Sequence, residues 1–190
     1  MIEAATRLFL AHGYVATTVE SVAAEAGVAV QTLYNVFGSK HDVLEAVVEA
    51  TIAEGEPGRP PRESVRERAA AATGRELIRH AVEFWVAVRP RSEPMFEVVR
   101  QAAAVDPEIG ALQRVQDLEK LRSMTMAAGD LARRGWLRSD LGVDGAAAIL
   151  WTLSHPQSYR LLVDEGGWEV SRYADWLEDA LCAALLADPT

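Results

Sequence analysis

Cysteine is almost absent from this 190-residue sequence: Cys182 is the only one, which excludes an internal disulfide framework and any zinc site built from several thiolates. A reducing compartment, the cytoplasm, is therefore the expected address. No apolar run approaches the roughly 20 residues that cross a bilayer. The opening stretch, with Glu3 and Arg7 inside it, lacks the form of a secretory signal. Lysine is confined to Lys40 and Lys120, and all cations together number 19 against 28 acidic residues, a net charge of −9. A broad basic surface for polyanions is excluded, so any contact with nucleic acid must be a local site. Catalytic signatures are missing as well. The four histidines (His12, His41, His80 and His155) are dispersed without metal-ligand spacing, and there is neither a Gly-x-Ser-x-Gly elbow nor a phosphate-binding Walker loop. Neither an enzyme nor a metal or cofactor is expected.

What is present is a large apolar fraction, 49% with five tryptophans, enough to bury a core. No stretch alternates as a strand does, and apolar residues recur at helical spacing throughout. The expected fold is all-α with nine or ten helices. The segment EGEPGRPPR, residues 54–62, cannot continue a helix through Pro57, Pro60 and Pro61. It divides the chain into a domain of residues 1–53, a linker of 54–62 and a larger domain of 63–190. In the small domain, a helix to about Ala11 should stop at His12-Gly13, and Thr17-x-x-Glu20 reads as a capping box. A third helix spans roughly Val30 to Val36, and Ser39 caps a fourth. In the large domain, Thr73 or Gly74 opens a helix that Arg89-Pro90 should stop, and another covers Ser92 to Val105. A long helix from Asp106-Pro107 to about Arg134 follows. The next runs from Val143 and bends near Pro156, and the last covers Val170 to Leu186.

Two short helices joined around Gly27 have the layout of a helix-turn-helix, in which the second helix offers its residues to a groove of DNA. Leu33 and Phe37 supply its inner face, and Gln31, Thr32 and Asn35 are the candidate outward groups for base edges. Thr18 and Lys40 at helix starts, and the Tyr34 hydroxyl, can each meet a phosphate. Taken singly, Thr17, Gly27 and Ser39 serve folding in any helical domain; the combination with exposed Gln31, Thr32 and Lys40 points to DNA.

The residues Gly13-Tyr14, Thr17-Thr18, Ala26-Gly27-Val28, Leu33-Tyr34, Phe37 and Lys40 together resemble the DNA-binding domain of the tetracycline-repressor (TetR) family of transcriptional regulators. The resemblance implies phosphate contacts from Thr18, Tyr34 and Lys40, and base reading by Val30, Gln31, Thr32 and Asn35. Two departures stand out. Val36 occupies a position where the family often has His or Tyr and cannot donate a hydrogen bond. The basic stretch that often precedes the first helix is also missing: either it lies before Met1 or the protein lacks it.

The same resemblance implies that the larger helical domain binds a ligand and dimerises. The last two helices carry a wide apolar arc, with Leu150, Leu153 and Leu161 facing Tyr173, Leu177, Leu181, Cys182 and Leu185, which suggests a two-fold four-helix interface. An effector pocket is expected among His80, Phe84, Trp85, Met95, Phe96, Val99, Leu121, Met124, Thr125, Trp151 and His155, whose aromatic and Met side chains suit an apolar or aromatic small molecule. The expected protein is a homodimeric, ligand-responsive repressor of a pseudo-palindromic double-stranded operator. The alternatives are an activator without a small ligand, and a dimeric helical sensor or interaction protein that has weak or lost DNA binding.

Overall fold

A computed structural model describes residues 1–53 and 70–187, so the proline-rich segment 54–62 lies outside the described residues. The described chain is helical. Its helices are α1 (Ile2–Ala16), α2 (Val19–Glu25), α3 (Val30–Phe37), α4 (Lys40–Ala53), α5 (Gly74–Ala103), α6 (Pro107–Arg133), α7 (Val143–Leu153), α8 (Pro156–Tyr159) and α9 (Val170–Leu185), with a π-helical segment at Arg160–Glu165 before α9. Among the described residues, one isolated antiparallel bridge, Leu137 to Leu186, is the only strand-like pairing. The chain forms two compact units, Met1–Gly55 with Pro90–Gln116, and Glu56–Arg89 with Asp117–Thr190.

In the first unit, Phe9 of α1, Val22 of α2, Leu33 of α3 and Val43, Leu44 and Val47 of α4 form one core with Met95, Val98, Val99 and Ile109. Each helix buries the stripe that its apolar spacing marks. Gly13 interrupts α1 at φ 75° and ψ 170°, the break expected at His12-Gly13, after which Tyr14 is buried against Phe9. The capping box lies one residue later than the sequence suggests. Thr18 caps α2, its Oγ1 accepting from the Ser21 amide while Ser21 Oγ accepts from the Thr18 amide, each at 3.1 Å. Thr17 is only 1% exposed and turns inward, its hydroxyl donating to the Gly13 carbonyl at 2.8 Å. Ser39 caps α4 as expected, accepting from the Asp42 amide at 3.2 Å.

The second unit is built around α9, whose Tyr173, Leu177, Leu181, Cys182 and Leu185 are fully buried. They pack with Leu77, Ile78 and Val82 of α5, Ala128 and Leu131 of α6, and Ala146, Ala147 and Leu150 of α7. Arg75 bridges Glu178 and Asp179 of α9 at 2.8 and 3.0 Å, and Arg79 meets Glu178 at 3.2 Å. A Cβ on Gly74 would stand 2.6 Å from Leu186 Cδ2 and 3.2 Å from Trp136 Cβ, so the start of α5 packs closely against both residues.

The two helices expected on either side of Arg89-Pro90 are one, α5, with Pro90 and Pro94 inside it. Proline removes one ladder hydrogen bond and strains the preceding turn. Both rings are exposed, whereas Ser92, Met95 and Val99 in the same turns are buried, so packing carries the helix through. The later boundaries follow expectation: Asp106 Oδ1 accepts from the Glu108 amide at 3.0 Å to start α6, and α7 ends before Pro156.

Candidate nucleic-acid interface

Helix α3 is held to its unit by fully buried Leu33 and half-buried Val30 and Phe37. Gln31, Thr32, Tyr34, Asn35 and Val36 are exposed, with Tyr34 at 42% and Val36 at 57%. Gln31 Nε2 donates to Asn35 Oδ1 at 2.9 Å, so the two amides one turn apart are already aligned as a hydrogen-bonding pair on the outer face. The turn before α3 passes through Gly27 at φ 67°, and a Cβ there would meet nothing within 4 Å. Glycine is required by backbone conformation alone.

Thr18 is exposed at the start of α2; its hydroxyl oxygen is engaged by Ser21, and its proton remains available. Lys40 is half-buried. Its ammonium lies 4.1 Å from the centroid of the Tyr14 ring and 3.5 Å from the Val15 carbonyl. Burial lowers its pKa, with Asp106 acting in the opposite direction. Burial likewise raises the Tyr14 phenol, helped by Asp106, Glu108 and Asp42. The other cation of the small domain, Arg7, pairs with Glu25 at 2.9 Å. His41, Asp42 and Glu45 bring ligand-type atoms within 4.8 Å of one another. Asp42 is engaged by the Ser39 hydroxyl at 2.7 Å, which lowers its pKa, so the cap accounts for this cluster.

The residues expected around an effector are dispersed. Met95 and Val99 are buried, and Phe96 half-buried, in the core of the first unit. In the second unit, a cavity of about 30 Å³ is lined by Leu77, Ile78, Ala81, Leu150, Leu181 and, from the expected set, Trp85. Met124 is half-buried at the edge of that core, and Leu121 and Thr125 are exposed. Phe84 is half-buried; His80, also half-buried, sits 3.4 Å from Glu83. Trp151 and His155 do share a face, their rings 5.7 Å apart edge to face, and His155 Nδ1 accepts from the Gln157 amide to start α8.

Of the residues expected at a dimer interface, Tyr173, Leu177, Leu181, Cys182 and Leu185 have no exposed surface in the single chain. Leu150 is buried with them and Leu153 is half-buried, whereas Leu161 is 49% exposed. The wide arc of α9 is thus filled mainly by its own chain. Burial raises the Cys182 pKa, which suits a packing residue.

The sequence reading missed a buried polar group in the second unit. Arg89, 8% exposed, donates from Nη2 to the Ser154 carbonyl at 2.8 Å, with its guanidinium carbon 5.3 Å from the Tyr159 ring centroid. Tyr159 stacks edge to face on Tyr173 at 5.1 Å. The Tyr173 hydroxyl is buried without a protein partner. Burial raises both phenols, Arg89 opposing in each case, and Asp164 adds to the rise at Tyr159. The signal was one charged residue continuing the apolar stripe Ile78, Val82 and Trp85 at helical spacing; the adjacent Pro90 made it read as a helix end.

Residues 1–47 match the family model of bacterial regulatory proteins, tetR family. None of the curated proteins compared matches the sequence. Solved structures share the fold over nearly the whole chain. NalD, the secondary repressor of the MexAB-OprM multidrug efflux pump in Pseudomonas aeruginosa, is 20% identical, with a TM-score of 0.72 over 98% of this chain and 95% of NalD. SmeT in complex with triclosan is 22% identical, with a TM-score of 0.72 over 98% of this chain and 90% of SmeT. A TetR-like transcriptional regulator from a Rhodococcus species is 21% identical, with a TM-score of 0.62 over 95% and 90% of the two chains. Residues 1–47 thus match the tetR family of bacterial regulatory proteins, on a chain that shares its fold with these solved regulators.

Proposed function

We propose that this protein is a ligand-responsive transcriptional regulator that binds operator DNA as a homodimer and acts without catalysis. The observation that carries the reading is the outer face of α3. One buried leucine anchors the helix while Gln31, Thr32, Tyr34 and Asn35 stand exposed, two of them pre-paired. In this reading Gln31, Thr32 and Asn35, with Val30 beside them, read base edges in the major groove. Thr18, Tyr34 and Lys40 hold the phosphates on either side. Two copies present their α3 helices to successive grooves roughly 34 to 36 Å apart, so the operator is pseudo-palindromic. The helical unit around α9 takes a small effector, as SmeT takes triclosan, and the effector releases DNA by binding a subunit arrangement with another spacing.

Selection of bound fragments from genomic DNA, followed by salt titration on the selected duplex, tests this. The expected result is a steep log-log fall of affinity with salt. Gln31→Ala should cost on the order of 1 to 3 kcal/mol on the selected duplex and little on a scrambled one, whereas Lys40→Ala should weaken both alike. Equal losses from both variants on both duplexes would refute the assigned roles.

One observation favours a second reading, a dimeric sensor without DNA binding: Arg7 is tied to Glu25 and Lys40 lies over Tyr14. Failure to bind any duplex at low salt would select it.

A further inference from the structure

The small domain, residues 1–53, carries two cations, Arg7 and Lys40, and they are engaged in different ways. Arg7 meets a carboxylate, Glu25, at 2.9 Å, which offsets its charge. Lys40 lies against two neutral groups, its ammonium 4.1 Å from the Tyr14 ring centroid and 3.5 Å from the Val15 carbonyl. A ring face attracts an ammonium through its quadrupole and leaves the charge intact. The carbonyl can accept one of the three protons, so donors remain for another acceptor. Asp106, whose field also acts on Lys40, directs one carboxylate oxygen to the Glu108 and Ile109 amides at the start of α6. The Tyr14 ring is itself fixed. Gly13 breaks α1 at φ 75° and ψ 170°, and Tyr14 is seated in the core, 9% exposed with its centroid 5.9 Å from that of Phe9. Lys40 opens α4, where the helix dipole disfavours a cation, so helix formation gives no reason for lysine there. Its stem is long and rotamer-rich, and a contact made by a loose stem must first order it.

Resting on the reading that Lys40 holds a DNA phosphate, we propose that Tyr14 is a positioning residue for that contact. Its ring holds the Lys40 ammonium in place before DNA arrives, so binding need not order the lysine stem. The ring touches no DNA in this account and acts through Lys40 alone. A ring that sequestered the ammonium would have the opposite effect, because Lys40 would have to leave it to reach a phosphate.

The test measures binding of the full chain to the selected duplex and to a scrambled one, for the wild type, Tyr14→Phe, Tyr14→Leu, Lys40→Met and the double variant Tyr14→Leu with Lys40→Met. Tyr14→Leu should lose roughly 2- to 12-fold on both duplexes alike, the cost of ordering one long side chain. Tyr14→Phe keeps the ring and should recover affinity to within about twofold of wild type. In the Lys40→Met background, Tyr14→Leu should change affinity by less than about twofold, because the two residues act as one unit. A loosened domain would behave otherwise: it would lose most on the selected duplex and lose again without Lys40. Tyr14→Leu alters a core residue and can unfold the domain, so a second measurement decides in that event. The chain has two lysines, Lys40 and Lys120, so isotope labelling of lysine gives two side-chain signals in magnetic resonance. The Lys40 Hε protons should be shifted upfield by the ring, and the shift should persist when duplex is added. The proposal falls if Tyr14→Leu binds like the wild type or more tightly, if Tyr14→Phe loses as much as Tyr14→Leu, or if the upfield shift disappears on the duplex. A protein that binds duplex through Lys40 with any of these results loses only this proposal. One that binds no duplex at low salt loses the regulator reading as well.

Discussion

At Gly27 the chain adopts φ 67° with open space around the missing Cβ, so substitution is penalised by backbone conformation and not by collision. Gly27→Ala should lower unfolding stability by roughly 1 to 2 kcal/mol, and Gly27→Asn by less, because asparagine tolerates the left-handed region. Chemical denaturation of the pair checks this, and equal losses would contradict it. Ser39 makes a second residue-scale case. Its hydroxyl accepts from the Asp42 amide and donates to the Asp42 carboxylate, holding that carboxyl below its ordinary pKa. A depressed carboxylate contributes stability that is complete above the unfolded pKa of about 4 and is lost as pH falls through the lower folded value. Ser39→Ala should therefore cost about 0.5 to 2 kcal/mol at neutral pH. The difference from wild type should shrink as acid protonates Asp42, which denaturation between neutral and acid pH would show. Glycine in a turn and serine before a helix are legible in sequence because their effects are local. Thr17 and Thr18 were harder to order: both are threonines, and only the packing against α1 shows which one turns inward.

Among the elements, α5 departs most from its sequence pattern. Pro90 and Pro94 read as punctuation, and the helix runs through both because the residues between and after them are buried. Since an interior proline costs up to about 3 kcal/mol against alanine, Pro90→Ala and Pro94→Ala should each stabilise the fold. Gains below that ceiling are expected, because alanine also frees the unfolded chain. A loss of stability in both variants, read by thermal unfolding, would mean that the prolines end a helix. Helix α9 teaches the complementary lesson. Its apolar arc was legible, but the partner of that arc was not. Periodicity says that a face is buried, and it is silent on whether the same chain or a second copy buries it. The residues expected around an effector fall in different cores for the same reason. Met95 and Val99 have the spacing of a buried stripe, but α5 is long enough to contribute to two cores, and these residues enter the one that supports α3.

For the whole molecule, the burial of α9 changes where the proposed dimer can be attacked. Leu181→Ala removes a fully buried side chain and should cost about 2 to 5 kcal/mol of monomer stability. In the proposed homodimer, Leu161→Asp alters a residue that is 49% exposed, so it should leave folding nearly intact and shift the protein toward monomer in sedimentation. If Leu161→Asp sediments like the wild type, Leu161 has no place in the proposed two-fold surface. The net charge of −9 also has a more definite meaning once Arg7 and Lys40 are seen to be engaged. In the proposed regulator, affinity for DNA would come from few cations and from neutral donors, a balance no charge count could reveal.

The single thiol of the chain is sealed at Cys182, fully buried with a raised pKa. A cysteine introduced at exposed Val36 would consequently be the sole site that a spin label reaches in the native protein. In the proposed homodimer, two labelled copies would form a molecular ruler across the paired α3 helices. Pulsed electron resonance would follow its length with and without duplex, turning the proposed change of subunit spacing into a measured distance.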